Sequence, residues 1–417
     1  MSSPIVIVGS SLAGLRSAEQ LRSQGWSGPI TLVGEEEHLP YNRPPLSKQA
    51  LADARSGSLE ALHEKLALAL KPRLGDIHWL LRKRAISSDL EKQQVVLDDG
   101  ETLSYGGLVI ATGLRARQLP LSGGEPQRYR IRTLSDAWRL GRVLKKGCRI
   151  SIAGAGFIGC ELAATARKLD CHVTVIDSAK APLVSVLGRA LSEELLAYHR
   201  SHGVALYLDS QISEIKHNHD GALLGVKLAD GTTIDSDILV EAVGATPNTE
   251  WLAGNGLDLD NGVLCHSDLS LPGYPNVIAV GDVARFKNPL FDDSPRRIEH
   301  WNIAGETARC GVASLLSHLE GERAPVHVAL RPIVPSFWSD QFAVKIQGIG
   351  MPSLGDSVKP IEGSLDASFT SGETLALGYY RDGSLIGITS INGEKQQPRY
   401  RKMLLEERER LQAVGVV

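Results

Sequence analysis

The chain has 417 residues, long enough for two to three domains built on well-buried cores. Its 45 basic and 48 acidic residues nearly cancel, so no global field gathers nucleic acid. No apolar run approaches the roughly 18 residues of a membrane span, and the opening MSSPIVIVG lacks a basic leader region, so a cytoplasmic protein that contacts neither membrane nor nucleic acid is expected.

The first half begins with a β-branched run, Ile5–Val8, that breaks on glycine and continues as a helical pattern over Ala13–Ser23, with a further strand at Ile30–Val33. The turn reads Gly9-x-Ser11-x-Ala13-Gly14. Such a strand–turn–helix aims backbone amides and a helix N-terminus at an anion, as the pyrophosphate of a dinucleotide requires. Serine stands where a second glycine would let the backbone come nearest that group. Glu35 and Glu36 follow the second strand, where a carboxylate can accept both hydroxyls of a ribose. By itself the turn would also serve as a close-packed junction with no ligand.

The loop LPYNRPPLSK (Leu39–Lys48) comes next. Two prolines stiffen it while Arg43 and Lys48 project cations, a pair suited to one anionic cofactor: guanidinium on phosphate, ammonium near an electron-rich ring. A helical stretch near Ser58–Leu70, a hairpin-like alternation at Gln94–Leu103 and an apolar strand ending on glycine at Leu108–Gly113 complete the half. Pro120, Gly123, Gly124 and Pro126 mark a linker.

The second half repeats the design with a strand at Ile150–Ala153, a helix at Phe157–Leu169, a strand at Val173–Ile176 and a helix near Arg189–His202. A hairpin alternation at Ala222–Ile234 then leads to DILVEAVGATPN (Asp237–Asn248). Its turn is complete, Gly154-x-Gly156-x-x-Gly159, with Glu161 expected on the first helical turn, where a carboxylate also suits the helix dipole. Asp177 ends the second strand, where it can accept an adenosine 2′-hydroxyl and repel a 2′-phosphate, which favours NADH over NADPH; Lys180 nearby pulls the other way. A third apolar strand, Asn276–Asp282, reads as a return to the first module. From about Pro325 the alternating segments Phe337–Ile346, Leu375–Tyr380 and Leu385–Ser390 suggest an antiparallel sheet, closed by a helix at Arg399–Gln412.

The expected fold is therefore α/β: two Rossmann-like dinucleotide-binding modules plus a C-terminal α+β domain. The first module, residues 1–113 and 246–324, is discontinuous; the second, 114–245, is inserted in it; the C-terminal domain is 325–417. Two glycine turns in one chain imply two bound dinucleotides, and a protein that holds two most simply passes electrons between them. Cys148, Cys160, Cys171, Cys265 and Cys310 form no close pair in sequence and no zinc-like spacing, so they are expected to be reduced core residues, with no metal site.

The order and spacing of the first turn, RPPLSK, ATG-x-x-x-R, GAGFIG-x-E, VG-x-x-P-N, VGD, EHW and FWSDQ cover nearly the whole chain. In these motifs the chain resembles the FAD-dependent NADH–ferredoxin reductases of bacterial oxygenase systems, the putidaredoxin-reductase type, relatives of rubredoxin reductase and apoptosis-inducing factor. The resemblance implies that Gly9, Ser11, Ala13, Gly14, Glu35, Glu36, Arg43, Lys48, Ala85, Arg117, Asp282, Trp301 and Trp338 hold FAD. It implies NAD contacts from Gly154, Gly156, Phe157, Ile158, Gly159, Glu161, Asp177, Gly244, Glu299 and His300, with Glu161 paired to Lys48. No side chain is expected to act as acid, base or nucleophile, because flavin converts a two-electron hydride into single electrons; Lys48 and Glu161 support it.

The implied partner is a [2Fe–2S] or [3Fe–4S] ferredoxin feeding a cytochrome P450 or Rieske-type oxygenase, with the chain a monomer or weak dimer. Arg296, Arg297, Lys395, Arg399, Arg401 and Lys402 are candidate docking cations. The alternatives are an NADH oxidase or peroxidase, against which the lack of a paired active-site cysteine counts, and an NADH-sensing interaction flavoprotein.

Overall fold

The computed structural model describes residues 4–320, 333–365, 369 and 372–413. The chain divides into two compact units: Met1–Asn42, Ala67–Arg115 and Thr246–Pro335 form one, and Arg43–Leu66, Ala116–Ala245 and Ser336–Val417 form the other. This grouping differs from the three-part expectation by placing the RPPLSK loop and the C-terminal sheet with the inserted module. The change of texture expected near Pro325 lies outside the described residues.

In the first unit, Ile5–Val8 is fully buried and pairs in parallel with Ile30–Gly34 on one side and Gly107–Ile110 on the other. Burial on both faces is why the run is continuously apolar rather than alternating. Tyr274–Ala279 lies parallel to Gly107–Ile110, so the third apolar strand does return to this sheet. His78–Leu81 forms the opposite edge. Helices Leu12–Ser23 and Trp301–Leu319 pack against the sheet through Leu15, Ala18, Leu21, Val312 and Leu315, all completely buried. The expected hairpin is the outer part of a three-stranded antiparallel sheet, Ala85–Asp89, Gln94–Leu97 and Thr102–Ser104.

In the second unit, Arg149–Ala153 is flanked in parallel by His172–Ile176 and Ile238–Glu241, with Val204–Tyr207 and Arg128–Tyr129 at the edges. The helix expected near Arg189 runs from Val184 to Ser201, but Gly188 (φ 71°) breaks it, so the regular stretch does begin at Arg189. Helix Leu134–Val143 lies outside the expected elements, although its signal is in the sequence. Thr133 accepts the Asp136 amide and Asp136 reaches back to the Thr133 amide, a reciprocal capping box. The C-terminal sheet is antiparallel in the order Ser336–Gln341, Val344–Gly350, Ser384–Ile391, Leu375–Arg381, Ser357–Glu362. Leu187, Leu191 and Leu195 of the kinked helix pack on its Ile346, Leu377 and Tyr379 in one cluster. Among the described residues no helix is long and apolar enough to cross a membrane.

All five cysteines are reduced. Two that are distant in sequence meet in space. Cys148 and Cys171, 23 positions apart, precede the neighbouring strands Arg149–Ala153 and His172–Ile176, which brings their sulfurs to 3.3 Å. Sequence spacing hides this because the parallel register, not the chain, makes them neighbours.

Candidate dinucleotide-binding sites

The turn of the first unit is shaped by backbone crowding. Gly9 has φ 119°, and a Cβ there would overlap the Ala111 carbonyl, while a Cβ on Gly14 would overlap the carbonyl of Gly9. Ser11 is the N-cap of helix Leu12–Ser23 in ordinary extended geometry (φ −91°, ψ −160°), and the first turn of that helix carries no acidic residue. No acid of the helix itself offsets its dipole at this end, which suits a phosphate.

Gly281, at φ 71°, leaves room for Ala13: an added Cβ would lie 2.8 Å from the alanine methyl. That close approach brings Asp282 to the start of the same helix. Thr307 fixes the bend by accepting the Gly281 amide at 2.9 Å. Ala85 starts its strand almost fully buried. Glu35 is exposed, and Glu36 accepts the Tyr41 hydroxyl. Trp301 opens helix Trp301–Leu319 with 41 % of its surface exposed and donates its indole N–H to Asn42. His300 is that helix's N-cap, and burial lowers its pKa to about 4, so it is neutral at physiological pH. Glu299 is ion-paired with Arg297 at 2.8 Å.

The docking assignment of Arg296 and Arg297 is corrected here. Arg297 is only 8 % exposed and binds Glu299, Asn261 and the Asp282 carbonyl, while both guanidinium arms of Arg296 engage Asp292. Arg297 is held inside the fold and Arg296 is paired at its surface.

The turn of the second unit repeats the geometry. Gly154 (φ 111°) approaches the Ala242 carbonyl and Gly159 approaches Gly154, so neither tolerates a Cβ. Gly156 caps helix Phe157–Lys168 with φ −77° and has open space where its Cβ would be. Ile158 is 41 % exposed beside it. The Phe157 ring lies 5.1 Å from that of buried Phe337, packed on the C-terminal cluster. Asp177 follows the second strand as expected, and its carboxylate accepts the backbone amides of Ala155, within the turn, and Ala179. Arg117 donates its amide to the Gly244 carbonyl at 3.0 Å, and Gly244 holds φ 93°.

Glu161 is the fifth residue of its helix, so it sits just beyond the first turn rather than on it, and no acid occupies that turn. Its buried carboxylate meets Lys48 at 3.0 Å, accepts Ser47 Oγ–H at 2.6 Å and accepts Ser339 Oγ–H at 2.7 Å. Lys48 also reaches Asp340 at 3.3 Å. Arg43 donates to the Arg132 carbonyl. Trp338, on the same strand as Ser339, is 37 % exposed. Ser47, Ser339, Asp340 and Gln341 went unassigned in the sequence, though RPPLSK and FWSDQ contain them; only the fold shows that the two motifs converge on Glu161.

The expected FAD residues divide between the units, with Arg43, Lys48, Arg117 and Trp338 in the second. The expected nicotinamide residues also divide, with Glu299 and His300 in the first. Among the described residues no cluster suits a metal ion.

Residues 3–308 match the pyridine nucleotide-disulphide oxidoreductase family, and residues 336–416 match the reductase C-terminal domain. Rhodocoxin reductase of Rhodococcus erythropolis is 34 % identical over 408 residues, covering 97 % of this chain and 90 % of the relative. The ferredoxin–NAD(+) reductase component of an anthranilate 1,2-dioxygenase system from Burkholderia cepacia is 33 % identical over 395 residues, covering 93 % and 91 %. The reductase in the covalent putidaredoxin reductase–putidaredoxin complex superposes with a TM-score of 0.87 at 31 % identity, covering 97 % and 93 % of the two chains. With well over half of the chain matched by the family and relatives this similar end to end, the chain belongs to the pyridine nucleotide-disulphide oxidoreductases, in the branch that carries the reductase C-terminal domain.

Proposed function

We propose that the chain is an NADH–ferredoxin reductase that carries FAD on its first glycine turn, binds NADH on its second, and passes electrons singly to a [2Fe–2S] or [3Fe–4S] ferredoxin serving a bacterial oxygenase. The observation that carries this reading is the pair of turns. Each has two glycines demanded by backbone crowding and a helix with no acid in its own first turn, a combination suited to a pyrophosphate.

FAD fits the first turn on its own geometry: small residues, a helix with no acid in its own first turn and Asp282 brought to the helix start by Gly281. Ser11, Ala13 and the turn amides would take the pyrophosphate, Glu35 or Glu36 the adenosine ribose, and Asp282 a polyol hydroxyl, with Ala85 and Trp301 of the same unit; the family resemblance assigns Arg43, Lys48, Arg117 and Trp338 to FAD as well. Bound FAD would supply the conversion between hydride and single-electron transfer, which no side chain here provides. In the second turn, Gly156 leaves the pyrophosphate its approach. Asp177 uses one lone pair of each oxygen on its own backbone and keeps others for ribose hydroxyls, while its charge disfavours a 2′-phosphate, so NADH is preferred to NADPH. Glu161, fixed by three donors, would face the nicotinamide amide and hold Lys48 in place.

The domains follow the modules: 1–113 with 246–324 for FAD, 114–245 for NAD, and 325–417 as the C-terminal α+β domain. A cytoplasmic location agrees with balanced charge and reduced thiols. The decisive experiment is stopped-flow reduction of the yellow holoprotein by NADH, followed by titration with both ferredoxin types. The reading predicts fast bleaching at 450 nm (roughly where oxidised flavins absorb) and ferredoxin reduction. A folded protein that takes up no FAD would end it. A reduced protein that persists in air and ignores ferredoxins would favour the NADH-sensing alternative.

A further inference from the structure

We propose that His199 and Gln341 are positioning residues: they hold Ser339, and through it Glu161, in the one arrangement that grips Lys48. The functional consequence rests on the reading of the second turn as the nicotinamide site; the hydrogen-bond chain itself does not.

Three bonds run from Glu161 into the core of the second unit. Ser339 Oγ lies 2.7 Å from Glu161 Oε1, Gln341 Nε2 lies 3.0 Å from Ser339 Oγ, and His199 Nε2 lies 2.7 Å from Gln341 Oε1. Their directions follow from donor accounting. A carboxylate paired with an ammonium only accepts, so the single hydroxyl hydrogen of Ser339 is spent on Glu161. Ser339 can then only accept from Gln341, which must present its amide N–H. That orientation leaves Gln341 Oε1 toward the imidazole, so His199 must carry its proton on Nε2. The other ring nitrogen, Nδ1, is buried and has no partner among the described residues, as a bare nitrogen can tolerate better than an N–H. The ring packs edge-on to Phe342 at 5.2 Å, and its burial keeps it neutral by lowering its affinity for a second proton.

Packing alone does not explain these residues. His199, Ser339 and Gln341 are completely buried and polar where their neighbours are Leu, Phe and Tyr, and a buried polar chain is favourable only when every link is made. Ser339 and Gln341, two apart on strand Ser336–Gln341, face the same way, while His199 comes from helix Val184–Ser201. The chain thus fixes a carboxylate on one helix to the register of another helix. Without it Glu161 would be held mainly by hydroxyls free to rotate, and Lys48 could swing to Asp340, already 3.3 Å away.

The test uses FAD-loaded full-length protein with 15N-labelled histidine, the His199 signal being assigned from its loss in His199→Phe. We expect the Nε2–H tautomer, and a shift of that signal in Glu161→Gln, whose amide can donate to Ser339 and relax the enforced direction. NAD+ is the binding probe for a double-mutant cycle. His199→Phe should weaken its Kd about three- to tenfold, the scale of one buried hydrogen bond, yet have no further effect in the Glu161→Gln background. Gln341→Met serves the same cycle if His199→Phe does not fold. An Nδ1–H tautomer, a His199 signal indifferent to Glu161→Gln, or additive effects on NAD+ affinity would each overturn the proposal. A wild-type protein that binds no NAD+ would instead overturn the coenzyme reading, and the tautomer and its response to Glu161→Gln would still decide the chain.

Discussion

The two glycine turns share a backbone path but not a sequence, and the mismatch separates glycines the fold needs from glycines a ligand needs. Gly9 and Gly154 hold positive φ and press on a neighbouring strand's carbonyl; Gly14 and Gly159 press on the carbonyl five residues earlier. These four are structural. The middle position is different: Ser11 and Gly156 have nearly the same extended dihedrals, and Gly156 has nothing within 4 Å of its absent Cβ. Any small residue satisfies the fold there, which is why serine appears in one copy. A glycine kept at 156 answers to something outside the chain.

The register adds a second contrast. Val8 pairs with Val33 and Ala153 with Ile176, so Gly34 and Asp177 occupy equivalent places. Asp177 ties its carboxylate to the Ala155 amide, whereas Gly34 yields that space to the Ser10 side chain, and the acids of the first copy come one and two residues later.

The largest effect should come from breaking the structural class. Gly14→Ala and Gly159→Ala place a methyl on a backbone oxygen with nowhere to move, so each should cost more than about 4 kcal/mol and leave little soluble protein. A Tm within a few degrees of wild type for either would dissolve the distinction. Next in size, Gly156→Val should leave the Tm nearly unchanged yet weaken NADH binding at least about tenfold, near 1.4 kcal/mol. Ser11→Gly should be close to silent in both stability and FAD retention. Equal losses of stability and affinity in Gly156→Val would place that glycine with the others.

Most of this architecture is legible in the chain because it is local. β-branched runs, glycine breaks and helical periodicity give both modules and the return strand at Asn276, and the elements end within a few residues of their expected limits. The legible part of the site is likewise the part carried by contiguous motifs. What escaped is what only tertiary structure joins: Ser339 and Gln341 lie 178 and 142 positions from their partners Glu161 and His199, and Cys148 meets Cys171 across a parallel register. The helix at Leu134 is different: its capping box, Thr133 with Asp136, is a local signal in the sequence. Arg297 differs from its sequence expectation because its three partners, Glu299, Asn261 and the Asp282 carbonyl, converge on it only in the fold.

A smaller effect sharpens the contrast between Asp177 and Gly34. Asp177→Asn preserves most of the bonding to Ala155 but removes the charge. The kcat/KM ratio of NADH to NADPH should therefore narrow by about tenfold, the scale of one lost charge interaction near the surface. An unchanged ratio would mean that Asp177 serves only its own turn, as its two backbone bonds would allow.

The smallest expected effect concerns the second half-reaction, and the corrected surface decides where to look. With Arg297 held inside the fold and Arg296 paired to Asp292, the remaining candidates cluster on and before helix Gln397–Ala413. Arg399 leans on Glu362 and Lys402 on Glu406, both exposed pairs of little strength. Lys395 and Arg401 are exposed and form no ion pair among the described residues. A net charge of −3 does not forbid docking of an acidic ferredoxin here, because a local patch steers an encounter at short range and salt screens it within about 10 Å at 0.1 M. Ferredoxin-dependent turnover should therefore fall with ionic strength while NADH reduction of the flavin barely changes, and Lys395→Glu with Arg401→Glu should slow only the former, by a few-fold. Arg297→Glu should differ in kind: it strips Glu299 and the Asp282 carbonyl of their partner, so its damage should appear first in stability and FAD retention. If instead Arg297→Glu leaves the fold intact and selectively slows ferredoxin reduction, the arginine is more open in solution than its burial implies, and the docking face lies beside the first turn after all.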